Sequence, residues 1–171
     1  MQNKSLTTYL KANPQDFQRL LLDSIKQAVI VTELSGEVVY WNKHATALYG
    51  WEADEVIGKN IINVTPTNQS KDDAMEIMKT LNMGKNWEGE FLVQNKEGNT
   101  FWIQIIDSPI FNDQNELIGV IGISRDISKE KEHITEKVIA QKKIEISEKK
   151  YRELFETMPS GVAVYKAINK G

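Results

Sequence analysis

Leu117-Ile118-Gly119-Val120-Ile121-Gly122-Ile123-Ser124-Arg125-Asp126 runs without a linker into Ile127-Ser128-Lys129-Glu130-Lys131-Glu132. The first stretch is apolar, β-branched and glycine-spaced, which reads as a core strand, whereas the second reads as a solvated helix. Between Gly122 and Pro159 there is neither glycine nor proline, so the helix has no cheap place to break. A core strand joined rigidly to a solvated helix passes a change in the core to whatever the helix holds. The junction points to transmission rather than to chemistry.

Downstream, fifteen of the twenty-eight residues from 129 to 156 are Lys, Arg, Asp or Glu, nearly balanced in sign. Such a helix is solvated and is not a basic arm for nucleic acid. Glu145–Lys149 and Glu148–Arg152 are i,i+4 pairs in the favourable orientation, contributing about 0.2–0.5 kcal/mol each. With Ile127 at heptad position a, the a/d seam holds Ile134, Ile144, Tyr151 and Phe155, interrupted by Glu130, Lys137, Gln141 and Glu148. That is a weak coiled coil, easily adjusted. A parallel homodimer is expected, with Ile134, Val138 and Ile144 contributing.

Upstream of the junction the punctuation is regular. Asn13-Pro14-Gln15-Asp16 reads as N-cap, first helical position and dipole-matched acid, followed by Phe17, Leu20 and Leu21 at helical spacing. Leu6, Tyr9 and Leu10 extend an amphipathic leader over residues 1–26, a second dimer contact. Ala28 to Thr32 and Glu37 to Trp41 are strands about a Ser35-Gly36 turn. Asn42 caps a short helix, Lys43 to Tyr49, that Gly50 ends, and a second, Glu52 to Ile57, is closed by Gly58. Thr65-Pro66-Thr67-Asn68 breaks the chain before a helix from Gln69 to Met83 with Ala74, Ile77, Met78 and Leu81 on one face. Gly89 to Gln94 and Thr100 to Ile106 form a hairpin, and the strand ending at Arg125 completes a meander. Two strands, a helical interlude and three strands make an α+β domain. The interlude must cross from one sheet edge to the other.

Composition narrows the function classes. The 171 residues carry a net charge of -3 and no cysteine, which argues against nucleic-acid binding, disulfides and thiolate chemistry. No apolar run reaches the roughly 18–20 residues of a membrane span. Met1-Gln2-Asn3-Lys4-Ser5-Leu6 has no signal-peptide core, so a cytoplasmic location is expected. No nucleophile–base pair, phosphate-cradling glycine loop or metal-ligand spacing occurs, and enzymatic activity is not expected. His133 lies in a helix context without a phosphoacceptor's proline and reads as a surface residue. His44 has no evident acid–base partner.

Phe17-x-x-Leu20-Leu21 before Ala28-Val29-Ile30-Val31 recurs as Tyr151-x-x-Leu154-Phe155 before Val162-Ala163-Val164-Tyr165, an offset of 134 residues. The repeat predicts the start of a second module over 157–171, with a first strand from Val162 to Ile168 lacking its sheet.

These pieces together resemble a PAS domain. The matching elements are Ala28 to Thr32 with the Gly36 turn, Tyr40-Trp41-Asn42, and Leu48-Tyr49-Gly50-Trp51 with Glu55-Val56-Ile57-Gly58-Lys59. Trp87-Glu88-Gly89-Glu90, Lys96-Glu97-Gly98 and Gly122 to Ser128 complete the set. No piece is specific alone, but their order is. The resemblance implies a five-stranded antiparallel sheet at 27–127 with helices over one face. It also implies signal output through the helix at 128–156, to adjacent PAS and effector domains of the parent chain such as a histidine kinase. Asp126-Ile127-Ser128 stands where the family keeps an Asp-Ile-Thr junction. Arg125, Asp126, Ile127 and Ser128 are therefore the expected transmission residues. Asp126 is expected to pair with a cation or a backbone amide, and the Ser128 hydroxyl to cap the helix.

The pocket candidates are Asn42, Trp51, Trp87, Trp102, Gly119 and Gly122. For Asn42 the competing role is its helix cap, and for the tryptophans core or edge packing. The glycines either leave room for a ligand or mark a bulge or close approach. The family's cysteinyl-flavin and haem signatures are absent, since there is no cysteine and Gln69 to Met83 holds no histidine. Non-covalent FAD remains open. A small organic ligand or none is expected, and no metal. The leading function is a sensory module; the alternative is a dimerisation spacer without a ligand.

Overall fold

The computed structural model describes residues 14–68 and 70–157. The first helix, α1, spans Pro14–Ser24; Asn13 and the leader residues Leu6, Tyr9 and Leu10 lie outside the described residues. β1 (Ala28–Glu33) turns into β2 (Val38–Trp41). Gly36 takes φ 83° in that turn, and its N–H donates to the Glu33 carbonyl at 2.9 Å. Only glycine enters that region without a Cβ penalty.

α2 (Lys43–Tyr49) has the bounds its caps predict: Asn42 accepts from the Ala45 N–H, and Gly50, left-handed at φ 78°, donates to the Thr46 carbonyl. α3 (Ala53–Val56) is shorter than expected because Glu52 sits outside it, closing a capping box with Glu55. α4 (Ile61–Val64) is a single turn that periodicity does not reveal, capped by Asn60. α5 (Lys71–Asn82) starts after Ser70, whose hydroxyl and the Asp73 carboxylate form a second capping box. Ile77 and Leu81 of α5 are buried, whereas Ala74, expected on the same face, is exposed.

β3 (Trp87–Gln94), β4 (Thr100–Phe111) and β5 (Leu117–Asp126) complete one antiparallel sheet in the order β2-β1-β5-β4-β3. The helical interlude does join opposite edges. β4 continues well past Ile106, through Pro109, which pairs with Val120. Its pairing with β3 stops at Asp107, opposite Trp87, so proline sits where β4 has a single neighbour. The core between sheet and helices holds Ile30, Val38, Trp41, Tyr49, Val56, Val93 and Ile103.

α6 (Ser128–Thr157) is a helix of 30 residues with none buried. The chain divides at Lys129 and Glu130 into two compact units. No described helix is long and apolar enough to cross a membrane. The strand expected from Val162 to Ile168 lies outside the described residues.

Asn42 ties the first half together. Its side-chain Oδ1 accepts from Val29 N–H at 3.0 Å and Ala45 N–H at 2.8 Å, while Nδ2 donates to the Leu22 and Gln27 carbonyls at 3.2 and 3.0 Å. Replacing it by alanine strands these groups in a site where the side chain is almost wholly buried. Asn42→Ala is expected to cost about 2–4 kcal/mol, read as a lower midpoint in urea unfolding with an unchanged slope.

Candidate functional site

Two adjoining features of the sheet bear on function: the polar centre of its helix-covered face and the start of α6. Register places Ile103, Ile105 and Asp107 of β4 on one face with Ser124 and Gly122 of β5, since Ile105 pairs with Ser124 and Asp107 with Gly122. Helix α2 covers this face through Tyr49, whose hydroxyl lies 2.9 Å from Ser124 Oγ. The Tyr49 ring also meets Trp41 and Phe101, at 5.5 and 5.8 Å between centroids. Burial pushes the Tyr49 phenol up to about 12, and the Asp107 charge adds to the rise.

Asp107 occupies the space that Gly122 leaves. A Cβ on Gly122 would stand 2.9 Å from Asp107 Oδ1 and 3.4 Å from Ile105 Cδ1. Desolvation raises the Asp107 carboxyl to about 7. Gly119 serves a close backbone approach, since a Cβ there would meet the Thr32 carbonyl oxygen at 2.7 Å. Neither glycine opens a vacant niche: one is closed by backbone, the other by a carboxylate.

The remaining candidates separate. Asn42 has all four side-chain bonding positions engaged within the protein, leaving none for a ligand. Trp51 donates from Nε1 to the Val64 carbonyl at 3.0 Å and stacks beneath Lys96 and Lys59, at 5.0 and 5.8 Å. Trp87 and Trp102, by contrast, both border a cleft of about 290 Å³ beside α5, with Phe91, although the register puts Trp87 and Phe91 on one face of the sheet and Trp102 on the other. Trp51 does not line it.

At the junction, β4 holds the start of α6. The Ile127 N–H donates to the Trp102 carbonyl at 2.8 Å, and the Trp102 N–H donates to Ser128 Oγ at 3.0 Å. Asp126 Oδ1 accepts from the Ser128 N–H at 2.7 Å. The amide partner expected for Asp126 is therefore its own helix's first residue. The Ser128 hydroxyl takes a different role from the one expected: it binds the neighbouring strand, and the carboxylate of Asp126 takes the helix amide. Arg125 Nε donates to Gln104 Oε1 at 2.9 Å, and Gln104 Nε2 donates to Glu88 Oε1 at 2.7 Å, a polar line across three strands. Ile127 is buried between these exposed neighbours.

Sequence reading missed Asp107, and the signal was present: alternation from Ile103 through Ile105 puts a carboxylate where an apolar residue belongs. Among the described residues no group of three or more His, Asp or Glu is arranged to hold a metal ion.

The PAS domain family profile matches residues 26–129. The chain belongs to the PAS domain family. It is 25% identical over 116 residues to two-component system protein A of Emericella nidulans, covering 67% of this chain and 17% of that protein. It is 23% identical over 135 residues to phototropin-2 of Oryza sativa subsp. japonica, covering 77% of this chain and 15% of that protein. The chain thus spans less than a fifth of these relatives. The crystal structure of a PAS domain from Colwellia psychrerythraea superposes with TM-score 0.54 at 30% identity, covering 66% of this chain and 96% of that one. The first of these relatives is a two-component system protein by name.

The desolvated carboxyl of Asp107, half-buried on this face, makes stability depend on pH with a defined sign. Asp107 binds its proton more tightly folded, at about 7, than unfolded, near its ordinary 3.8. Its contribution is therefore favourable below about pH 4, declines as pH rises through 7, and is lost above it. Asp107→Asn is expected to raise stability at pH 8 by about 2–4 kcal/mol and to change little at pH 4. Thermal unfolding at the two pH values checks this.

Proposed function

We propose that the chain is a sensory module whose output passes from the sheet into α6 through Trp102, Asp126, Ile127 and Ser128. The observation that carries the reading is the double grip of β4 on the helix start, with the backbone N–H and C=O of Trp102 both engaged by residues 127 and 128. A change in β4 therefore reaches the helix through directed bonds. The effector class is a histidine kinase, in line with the similarity to a two-component system protein. The reading assigns the sheet domain to 27–127, the output helix to 128–156 and a second module's start to 157–171, in a cytoplasmic part of the parent.

A second reading, a dimerisation spacer, draws on α6, where Ile134 and Ile144 of the a/d seam and Val138 beside it are 60%, 52% and 48% exposed. Exposed isoleucines at this density suit a partner helix. The two readings diverge on the junction: a spacer tolerates its loss.

Asp126→Ala is expected to abolish or invert the stimulus response of the intact parent, while the isolated chain stays folded. Its direct signature is faster amide hydrogen exchange at Ser128, by about tenfold for a lost charge-assisted bond. An unchanged stimulus response sinks the relay and leaves the spacer.

A further inference from the structure

Three polar side chains share the centre of the helix-covered face, and their hydrogen bonds do not balance. Tyr49 and Ser124, each only 2% exposed, hold their hydroxyls 2.9 Å apart. Each hydroxyl carries one hydrogen. Their mutual bond uses one of the two, and the other has no partner among the described residues. Asp107 stands one step along the same strands, since it pairs with Gly122 while Ile105 pairs with Ser124. Its carboxyl makes no hydrogen bond or ion pair among the described residues. Asp107 and Ser124 are diagonal neighbours, a separation of about 7–8 Å between strands that side chains bridge. The carboxyl already leans over β5: a Cβ on Gly122 would stand 2.9 Å from Asp107 Oδ1, and the glycine keeps that space clear. No charged side chain on α2, α5, β3 or β5 acts on the carboxyl, whose hold on its proton is strengthened by desolvation alone. The titratable group facing it is the Tyr49 phenol. A spare buried donor thus lies beside an acceptor that does not use it.

We propose that Asp107 is a proton-operated switch: neutral, its carboxyl rests over Gly122 as seen here, and ionised, it turns to accept the spare hydroxyl hydrogen of the Tyr49–Ser124 pair. A neutral carboxylic acid tolerates an apolar setting, whereas a carboxylate there needs a donor. The hydroxyl pair supplies one without giving up its own bond. The proton itself passes to solvent, which the half-buried Asp107 side chain still meets. Ionisation then ties β4 to β5 through side chains at their centre, where the neutral form has no such bond. These are the strands that carry Trp102 and Asp126 to the start of α6. The stimulus read by such a core is a change of pH across neutrality. Its passage to α6 rests on the relay proposed above; the switch itself does not.

The test titrates the full 171-residue chain by NMR from about pH 5 to about pH 9, following the Asp107 carboxyl carbon and the backbone amides. The carboxyl is expected to titrate at about 7, with the Gly122 and Ser124 amides moving at the same midpoint. Asp107→Asn, which never ionises, should flatten both amide curves. Tyr49→Phe combined with Ser124→Ala removes both donors and keeps the packing, with folding checked by circular dichroism. The Asp107 midpoint should then rise by about one pH unit or more, as expected for a lost hydrogen bond to a charged group. His44→Gln with His133→Gln removes both imidazoles and should leave the midpoint where it was. An Asp107 midpoint in the ordinary carboxylate range, a Ser124 amide that stays flat through the transition, or a midpoint unmoved by loss of both hydroxyls each overturns the proposal. The unsubstituted chain decides by the first two readings if the double variant does not fold. The Ser128 amide reads the relay separately: a core transition that stops short of it leaves the switch standing and overturns the relay.

Discussion

The buried amide of Asn42 is the constraint on which the rest of the domain depends. It joins the end of α1, the entry to β1 and the start of α2 through two accepted and two donated bonds. Backbone groups at these points have no neighbour of their own in sheet or helix, and one side chain satisfies them all. Because Ala45 and Tyr49 lie on α2 after that cap, Asn42 also sets where the Tyr49 ring enters the core. The hydroxyl of Tyr49 then meets Ser124 on the strand that leads out of the domain. A local capping bond thereby orders a contact between residues 75 positions apart.

The centre of the helix-covered face is costlier than an apolar core. Asp107 has its carboxyl raised by desolvation, and Gly122 gives up a side chain to admit it. Stability alone favours an apolar residue at 107. A polar arrangement kept at the middle of the two central strands fits a face whose state is meant to change. Ser124 and Gly122 lie on β5, four residues or fewer from Asp126, so the same strand carries the polar centre and the helix junction.

What could be read from the sequence was the chemistry that acts locally. Asn42 and Gly50 bracket α2 because capping and left-handed closure depend on residue type at one position. The β-branched runs marked the strands, and the short turns made them antiparallel. The run from Asp107 to Phe111 could not be read as strand, since Asp-Ser-Pro looks like a breaker. Pro109 is acceptable only because β3 ends opposite Asp107, a fact set by the partner strand. α4 has four residues, too few for a helical period. The cleft was hidden for another reason: the residues of α5, β3 and β4 that border it are brought near one another only by the crossover. Of the tryptophans chosen as candidates, position in sequence did not tell Trp51, pinned to Val64, from Trp87 and Trp102.

The strength of the junction bears on how it works in the proposed relay. At least three hydrogen bonds hold the start of α6, two to Trp102 and one to Asp126. A typical intramolecular hydrogen bond contributes about 1 kcal/mol net, so the group holds with roughly 3 kcal/mol. Coupling free energies between sites in proteins are typically about 1–3 kcal/mol. A stimulus of ordinary size can therefore make or break this grip, whereas burying the helix along its length would put it beyond reach. The absence of buried residues in the described helix is then consistent with its task.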